Sequence, residues 1–288
     1  MKTSLTFVSP LNFVAQRYFF AALALSPIIL FNYRKVPRDR DSFGKLLVFS
    51  FINVTSYVAQ LFGLANEGSG IASVLTYTQP FFLFALAIPF LNEKVTSSRV
   101  LGGLFGFVGI VVLSFRALGL FSLEYTIVLL LGALLWAVAN VFYKRHMTQN
   151  DPIVTNFFQL VVGGILLSIV CLFMNDYVFP TSLTYLSTML YASIGGLSVA
   201  STIWLLLLHS EDATILAGSS FLVPLIALFF GSILLGETID LQSALGSALV
   251  LLGVYIVNTN KRAARPDTTG NTADPATATM EDHPAYFT

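Results

Sequence analysis

The sequence predicts an all-α polytopic membrane protein made of two inverted five-helix repeats, with nine transmembrane helices visible. Three observations predict it. Of the 288 residues, 56% are hydrophobic and only 10% charged, whereas soluble domains run near a quarter charged; with a mean hydropathy of +0.79 the chain lacks the polar surface to live in water. The apolar residues gather into nine stretches, each near the ~20 residues that cross a bilayer. Finally, Pro80, Glu93, Gly102 and Gly109 recur as Pro224, Glu237, Gly246 and Gly253 at a constant offset of 144. Only seven of the 44 positions 70–113 are identical to their counterparts, so the match lies in spacing and hydropathy.

The stretches lie near 11–31, 46–64, 70–91, 99–115, 123–143, 153–174, 185–208, 213–235 and 241–259. The first imitates a signal peptide, with Lys2 before it and Ala22-Leu23-Ala24 inside it. It is too long, is interrupted by Gln16 and Arg17, and is followed by eight more spans, so it reads as a retained helix. The third and eighth are the Pro-containing helices of the repeat, each followed by a short polar turn with Glu and then a helix with Gly at intervals. Beyond residue 260 the chain is rich in Thr, Ala, Asp and Pro with almost no aliphatic residues, which reads as a disordered cytoplasmic tail over 261–288.

Lys and Arg set the orientation. Arg34, Lys35, Arg38, Arg40, Lys45, Lys94, Arg99, Lys144, Arg145, Lys261, Arg262 and Arg265 fall on one side, and Lys2 and Arg116 on the other. The C-terminus is therefore expected in the cytoplasm. Glu93 then lies in a cytoplasmic loop and Glu237 in an external one, so the duplicated unit is inserted in both directions, as in transporters built from inverted repeats. Residues 1–116 and 117–260 are the expected halves. Pro10 pairs with Pro152 and Arg17 with Gln159 at an offset of 142. The span 123–143 has its expected counterpart before Met1, so the first half is expected to lack its first helix, through either a misassigned start or a true absence.

Polar groups are costly inside hydrocarbon and mark cavities or helix contacts. Asn53, Ser56, Tyr57 and Gln60 form one stripe. Thr76, Tyr77 and Gln79 precede Pro80, while Trp136, Asn140 and Tyr143 share a helix face, and Ser198, Ser201, Thr202 and Trp204 cluster on the seventh span. Asn53, Tyr57, Gln60, Gln79, Trp136, Asn140 and Arg17 are the candidate substrate-binding residues; the alternative for such groups is interhelical hydrogen bonding, worth ~0.6 kcal/mol per contact. For Arg17 two placements stand open: snorkelling to the headgroups, or facing the pocket to attract a substrate carboxylate. Pro80 and Pro224 each remove a backbone donor and are the candidate hinges. Glu93 and Glu237 read as charges that start or flank the next helix. Gly102, Gly106 and Gly109, with Ser243, Gly246, Ser247 and Gly253, make small faces for close helix packing within the chain; a homodimer contact is the second expectation.

Leu91-Asn92-Glu93 and Leu235-Gly236-Glu237 each end a Pro-containing helix and precede a Gly-containing one. With Trp136-Ala137 and Asn140 in the middle helix and Pro10 with Arg17 opening the first, these features resemble the EamA-type members of the drug/metabolite transporter superfamily over residues 8 to 260. The resemblance implies a ten-helix permease of two inverted five-helix halves with a central cavity, carrying amino acids or other small metabolites. The expected function is therefore a secondary transporter of a small, amino-acid-like metabolite, working by alternating access in the cell membrane, with export as the expected direction. A transport-incompetent truncated homologue and an intramembrane receptor are the alternatives. An intramembrane enzyme would need a nucleophile and base at membrane depth, and neither a carboxylate nor a histidine lies in a predicted span's interior. Cys171 stands alone, and His146, His209 and His283 are expected in loops or the tail, so neither disulfide, metal nor cofactor is expected. Lipid and a small solute are the expected partners, with no nucleic acid.

Overall fold

A computed structural model describes residues 6–67, 69–93, 96–115, 122–235 and 240–259. Lys2, Lys94, Arg116, Gly236, Glu237 and the 261–288 tail, all used in the sequence reading, lie outside the described residues. The regular structure of the described residues is helical: α1 Pro10–Phe31, α2 Arg40–Asn66, α3 Ser69–Thr76, α4 Gln79–Leu91, α5 Ser97–Ser114, α6 Leu123–His146, α7 Pro152–Phe173, α8 Leu183–Tyr191, a π-helical run Ala192–Val199, α9 Ala200–Ser210, α10 Ala213–Ser219, α11 Leu222–Leu235 and α12 Leu241–Thr259. Among the described residues nine helical spans are long and apolar enough to cross a membrane, so the chain is a multi-pass membrane protein.

The helix starts repeat with the sequence. Asp151 caps α7 by accepting the Val154 N–H at 3.2 Å, and Ser9, 142 residues earlier, accepts from Asn12 N–H at 3.2 Å at the start of α1. Thr96 and Asp240, 144 apart, cap α5 and α12 by accepting from Arg99 and Ser243 N–H. A side-chain oxygen at this position satisfies one of the orphan donors of a first turn. His146 and His209 fall in the last turns of α6 and α9 rather than in loops.

Helices α5 and α12 are antiparallel and nearly touch. A Cβ at Gly102 would lie 2.6 Å from the Gly253 carbonyl oxygen, and one at Gly109 would lie 2.8 Å from that of Gly246. The early glycine of each helix thus meets the late glycine of the other. Absent side chains let the two backbones approach to this distance. The glycines of these faces are therefore packed within the chain, as the first of the two expectations has it.

Two spans are interrupted where the sequence suggested hinges. Between α3 and α4 the helix breaks at Tyr77 and Thr78, and between α10 and α11 at Ser220 and Phe221. Pro80 and Pro224 stand in the first turn of the helix that follows each break, where no intrahelical donor is required. Hydroxyls beside the breaks bond back to the preceding turn: Thr76 and Thr78 donate to Ala72 and Leu75 oxygens at 2.7 and 2.6 Å, and Ser219 and Ser220 to Ile215 and Ala217 oxygens at 3.0 and 2.6 Å. Such irregular backbone survives at membrane depth only with its polar groups met inside the protein.

Candidate functional site

The polar stripes of α2, α4, α6, α7 and α9 converge on a divided cavity. One chamber of about 200 Å³ is lined by Asn53, Tyr57, Trp136, Asn140, Gln159 and Trp204, with Phe49 and Leu205 among the apolar walls. A second, of about 270 Å³, is lined by Arg17, Tyr57, Gln60, Thr76, Gln79 and Trp136. Tyr57 and Trp136 belong to both, so the chambers adjoin across those two rings. All seven candidate binding residues thus line one or the other. A lateral chamber of about 530 Å³ reaches Arg17 beside Ser187, Thr188, Tyr191 and Gly195, and shares Gly196 and Ala200 with the first.

The cavity wall is built by hydrogen bonds rather than left open. Ser56 donates to the Gly132 carbonyl at 2.8 Å, Gln60 Nε2 to Ser56 Oγ at 2.9 Å, and Gln79 Nε2 to Gln60 Oε1 at 2.7 Å. That chain ties α2 to α6 and to the first turn after the α3–α4 break. Opposite it, Trp204 Nε1 donates to Asn140 Oδ1 at 2.6 Å, and Asn140 Nδ2 donates to Trp136 O at 2.7 Å. The two indoles lie 5.0 Å apart at 46°. Asn140, Gln60 and Gln79 therefore hold the wall in shape as well as face the cavity. Asn53, 8% exposed, is the contrasting case: its amide makes no hydrogen bond among the described residues.

Arg17 does not snorkel. It is 1% exposed, donates from Nη2 to the Ala192 carbonyl at 3.1 Å, and lies 5.5 and 6.0 Å from the Phe13 and Tyr57 ring centroids. The carbonyl it reaches belongs to the first residue of the π-helical run. Asn156 serves the same run from α7, donating to Leu197 and Ser198 oxygens at 3.3 Å and to Thr202 Oγ1 at 2.8 Å. Ser198 donates to Ala21 O at 2.8 Å. Of the polar cluster on the seventh span, Ser198 and Thr202 pack helices, while Ser201 and Trp204 also line the first chamber.

The model of the EamA-like transporter family matches residues 1–115 and 124–259. The chain belongs to the EamA-like transporter family. It is 30% identical over 267 residues to an uncharacterized transporter of Archaeoglobus fulgidus, covering 89% of this chain and 91% of the other, and 29% identical over 262 residues to the uncharacterized transporter YoaV of Bacillus subtilis, covering 89% of each. A probable amino-acid metabolite efflux pump of Salmonella typhimurium is 26% identical over 278 residues, covering 89% and 88%. A crystal structure at 18% identity shares the fold with a TM-score of 0.75, covering 89% of this chain and 91% of that one.

In this EamA-like chain, at the end of the bundle rich in Lys and Arg, side chains from between α4 and α5 and from the start of α5 bond to the start of α10. Glu93 accepts the backbone N–H of Ala213 at 2.8 Å and of Thr214 at 3.0 Å, and the Thr214 hydroxyl at 2.8 Å. It thus caps α10, not the next helix α5, which Thr96 caps; this corrects the sequence reading of Glu93. Arg99 donates to Asp212 Oδ2 at 3.0 Å and to Thr214 Oγ1 at 2.8 Å. Lys144 donates to the Leu208 and Glu211 carbonyls at 2.8 and 2.7 Å, which suits a cation at the C-terminus of α9.

At the same end Lys35 pairs with Asp151 at 2.8 Å. Burial raises the Asp151 carboxyl, but the Lys35 ammonium and the Val154 and Ile153 amides outweigh it and hold it below the usual carboxylate range.

Gln159, Ser201 and Trp204 line the first chamber and Thr76 the second without having been in the candidate set, and Asn156 bonds to Gln159 from the same helix. Gln159 carried a signal, its offset of 142 from Arg17. Asn156 carried none, because its role is to serve a π-helical run that no periodicity announces.

Proposed function

We propose that the protein is a secondary transporter that moves a small amino-acid-like metabolite across the cell membrane through this cavity by alternating access. The observation that carries the reading is a polar, aromatic-lined cavity paired with contacts between distant parts of the sequence at one end of the bundle, which would close it there. The two adjoining chambers together fall in the range of ~300–1,000 Å³ typical of small-molecule sites. From Asn53 to Leu64 the cavity follows α2 for about 16 Å at ~1.5 Å per residue, away from the Glu93 and Arg99 contacts.

Residues 1–116 and 117–260 act as two inverted halves. The antiparallel pairing of α5 with α12 supports this, because the Gly102 to Gly253 contact and the Gly109 to Gly246 contact exchange under the offset of 144. Rocking of the halves, with the breaks before Pro80 and Pro224 as hinges, would open the Glu93 end as the other closes. The positive-inside rule places that end, and the C-terminus, in the cytoplasm. The printed name of the Salmonella typhimurium relative supports an amino-acid-like cargo and export.

The test is entrance counterflow in liposomes of phosphatidylethanolamine and phosphatidylglycerol, loaded with a mixture of unlabelled amino acids. Accumulation of labelled amino acid above that of protein-free liposomes supports the reading. Equal accumulation in both, for every amino acid tried, overturns the assignment of cargo.

A further inference from the structure

Arg17 and Gln159 occupy matched places in the two halves, at an offset of 142, yet they differ in polarity. Both reach the cavity near Gly196. A Cβ at Gly196 would come 3.1 Å from Arg17 Nη2, and Gly196 lines the first chamber together with Gln159. The missing side chain at 196 leaves room beside the Arg17 guanidinium.

The orientation of the Gln159 amide follows from its neighbours. Asn156 Nδ2 is fixed by the Leu197 and Ser198 carbonyls, which only accept. Its Oδ1 is then an acceptor, taking Ser201 Oγ at 2.9 Å and Gln159 Nε2 at 2.9 Å. Gln159 must therefore turn its carbonyl oxygen the other way. That oxygen is buried and makes no hydrogen bond among the described residues, while the residue is 4% exposed and lines the chamber. A buried acceptor left without a donor calls for one. Among the residues lining the three chambers, Arg17 is the one charged side chain.

We propose that Arg17 and Gln159 are the two poles of a zwitterion headgroup site, the Arg17 guanidinium taking the substrate carboxylate and Gln159 Oε1 taking its ammonium. This rests on the transporter reading above. The substrate side chain then lies against Trp136 and Trp204, whose indole faces also favour a nearby cation. The pseudo-symmetry supplies the geometry: one site, met from two helices, with a donor on one and an acceptor on the other.

The experiment is calorimetric titration of the detergent-purified full chain with three probes: phenylalanine, phenylethylamine, which lacks the carboxylate, and 3-phenylpropionate, which lacks the ammonium. Phenylalanine is expected to bind at least about tenfold more tightly than either. Gln159→Leu is expected to remove that advantage over 3-phenylpropionate and to leave 3-phenylpropionate unchanged. Arg17→Gln is expected to weaken both acids and spare the amine. Should Gln159→Leu fail to give monodisperse protein, Gln159→Glu keeps the size and decides the matter, with tighter phenylethylamine and weaker 3-phenylpropionate expected. Equal affinity for the three probes, no binding of any, or an unchanged ratio in the Gln159 variants overturns the proposal. Counterflow of another solute by the same preparation would then leave the transporter reading standing, and its absence would take that reading down as well.

Discussion

The carboxylate of Glu93 reaches across the two halves of the sequence to Thr214, accepting its backbone N–H at 3.0 Å and its hydroxyl at 2.8 Å. One residue from the first half thus finishes the first turn of α10 in the second. A contact of this kind exists only while the two halves are close at this end.

Removing it should favour the state open at that end. Hydrogen bonds to a charged group contribute about 1.5–3 kcal/mol, so Glu93→Ala is expected to shift the equilibrium by roughly tenfold or more. In a Cys171→Ser background, alkylation of Leu205→Cys by a membrane-impermeant maleimide applied from the Lys- and Arg-rich side should rise accordingly. An unchanged rate would mean that Glu93 stabilises α10 without gating.

The Trp204 indole depends on Asn140. Asn140→Leu leaves a half-buried N–H without its acceptor, at a cost of about 1–3 kcal/mol, while Asn140→Asp keeps one. The chain has only two tryptophans, and both line the first chamber. Intrinsic emission therefore reports on the cavity alone. A shift in emission maximum is expected for Asn140→Leu and little change for Asn140→Asp, with a lower melting temperature for the former.

Close packing of α5 on α12 predicts a sharp contrast between glycines. In Gly253→Ala the new Cβ would sit 2.5 Å from the Gly102 oxygen, whereas at Gly44 nothing lies within 4 Å. Gly253→Ala should destabilise by about 1–3 kcal/mol. Gly44→Ala, within α2, should stabilise by roughly 0.4–1 kcal/mol. Thermal melting in detergent separates the two signs.

Asp151 gives a pH dependence of fixed sign. Its folded-state value is depressed, so its contribution is present above the unfolded value of ~3.9 and is lost as pH falls through the lower folded value. Asn at this position still caps a helix and does not titrate. The melting temperature of wild type relative to Asp151→Asn should therefore be constant near neutrality and fall below about pH 4. A difference independent of pH would show that the Lys35 contact contributes nothing.

The membrane fold was legible because bilayer thickness fixes span length, and nine apolar stretches can hardly do otherwise than cross. The matched spacing of Pro, Glu and Gly was legible because the backbone and capping roles of these residues tolerate little substitution. The candidate cavity residues were found through periodicity, since Asn53, Tyr57 and Gln60 share a face of one helix. What stayed hidden depends on contacts distant in sequence. Glu93 looked like the start of α5 because its true partner, α10, is 120 residues away. Arg17 was undecided between headgroups and cavity because nothing in the local sequence announces the π-helical run at 192–199. Gln159 looked ordinary until Asn156 fixed which way its amide turns.

The most direct measurement of the central claim is transport with the Glu93 end locked. Glu93→Cys and Thr214→Cys, in the Cys171→Ser background, would be bridged by a short thiol-specific bifunctional reagent that a reductant can cleave. Alternating access predicts that counterflow stops on bridging and recovers on reduction, while the single cysteine variants are unaffected by the reagent. Counterflow that continues at the unbridged rate would contradict it, and would mean that solute crosses without the two halves separating at that end.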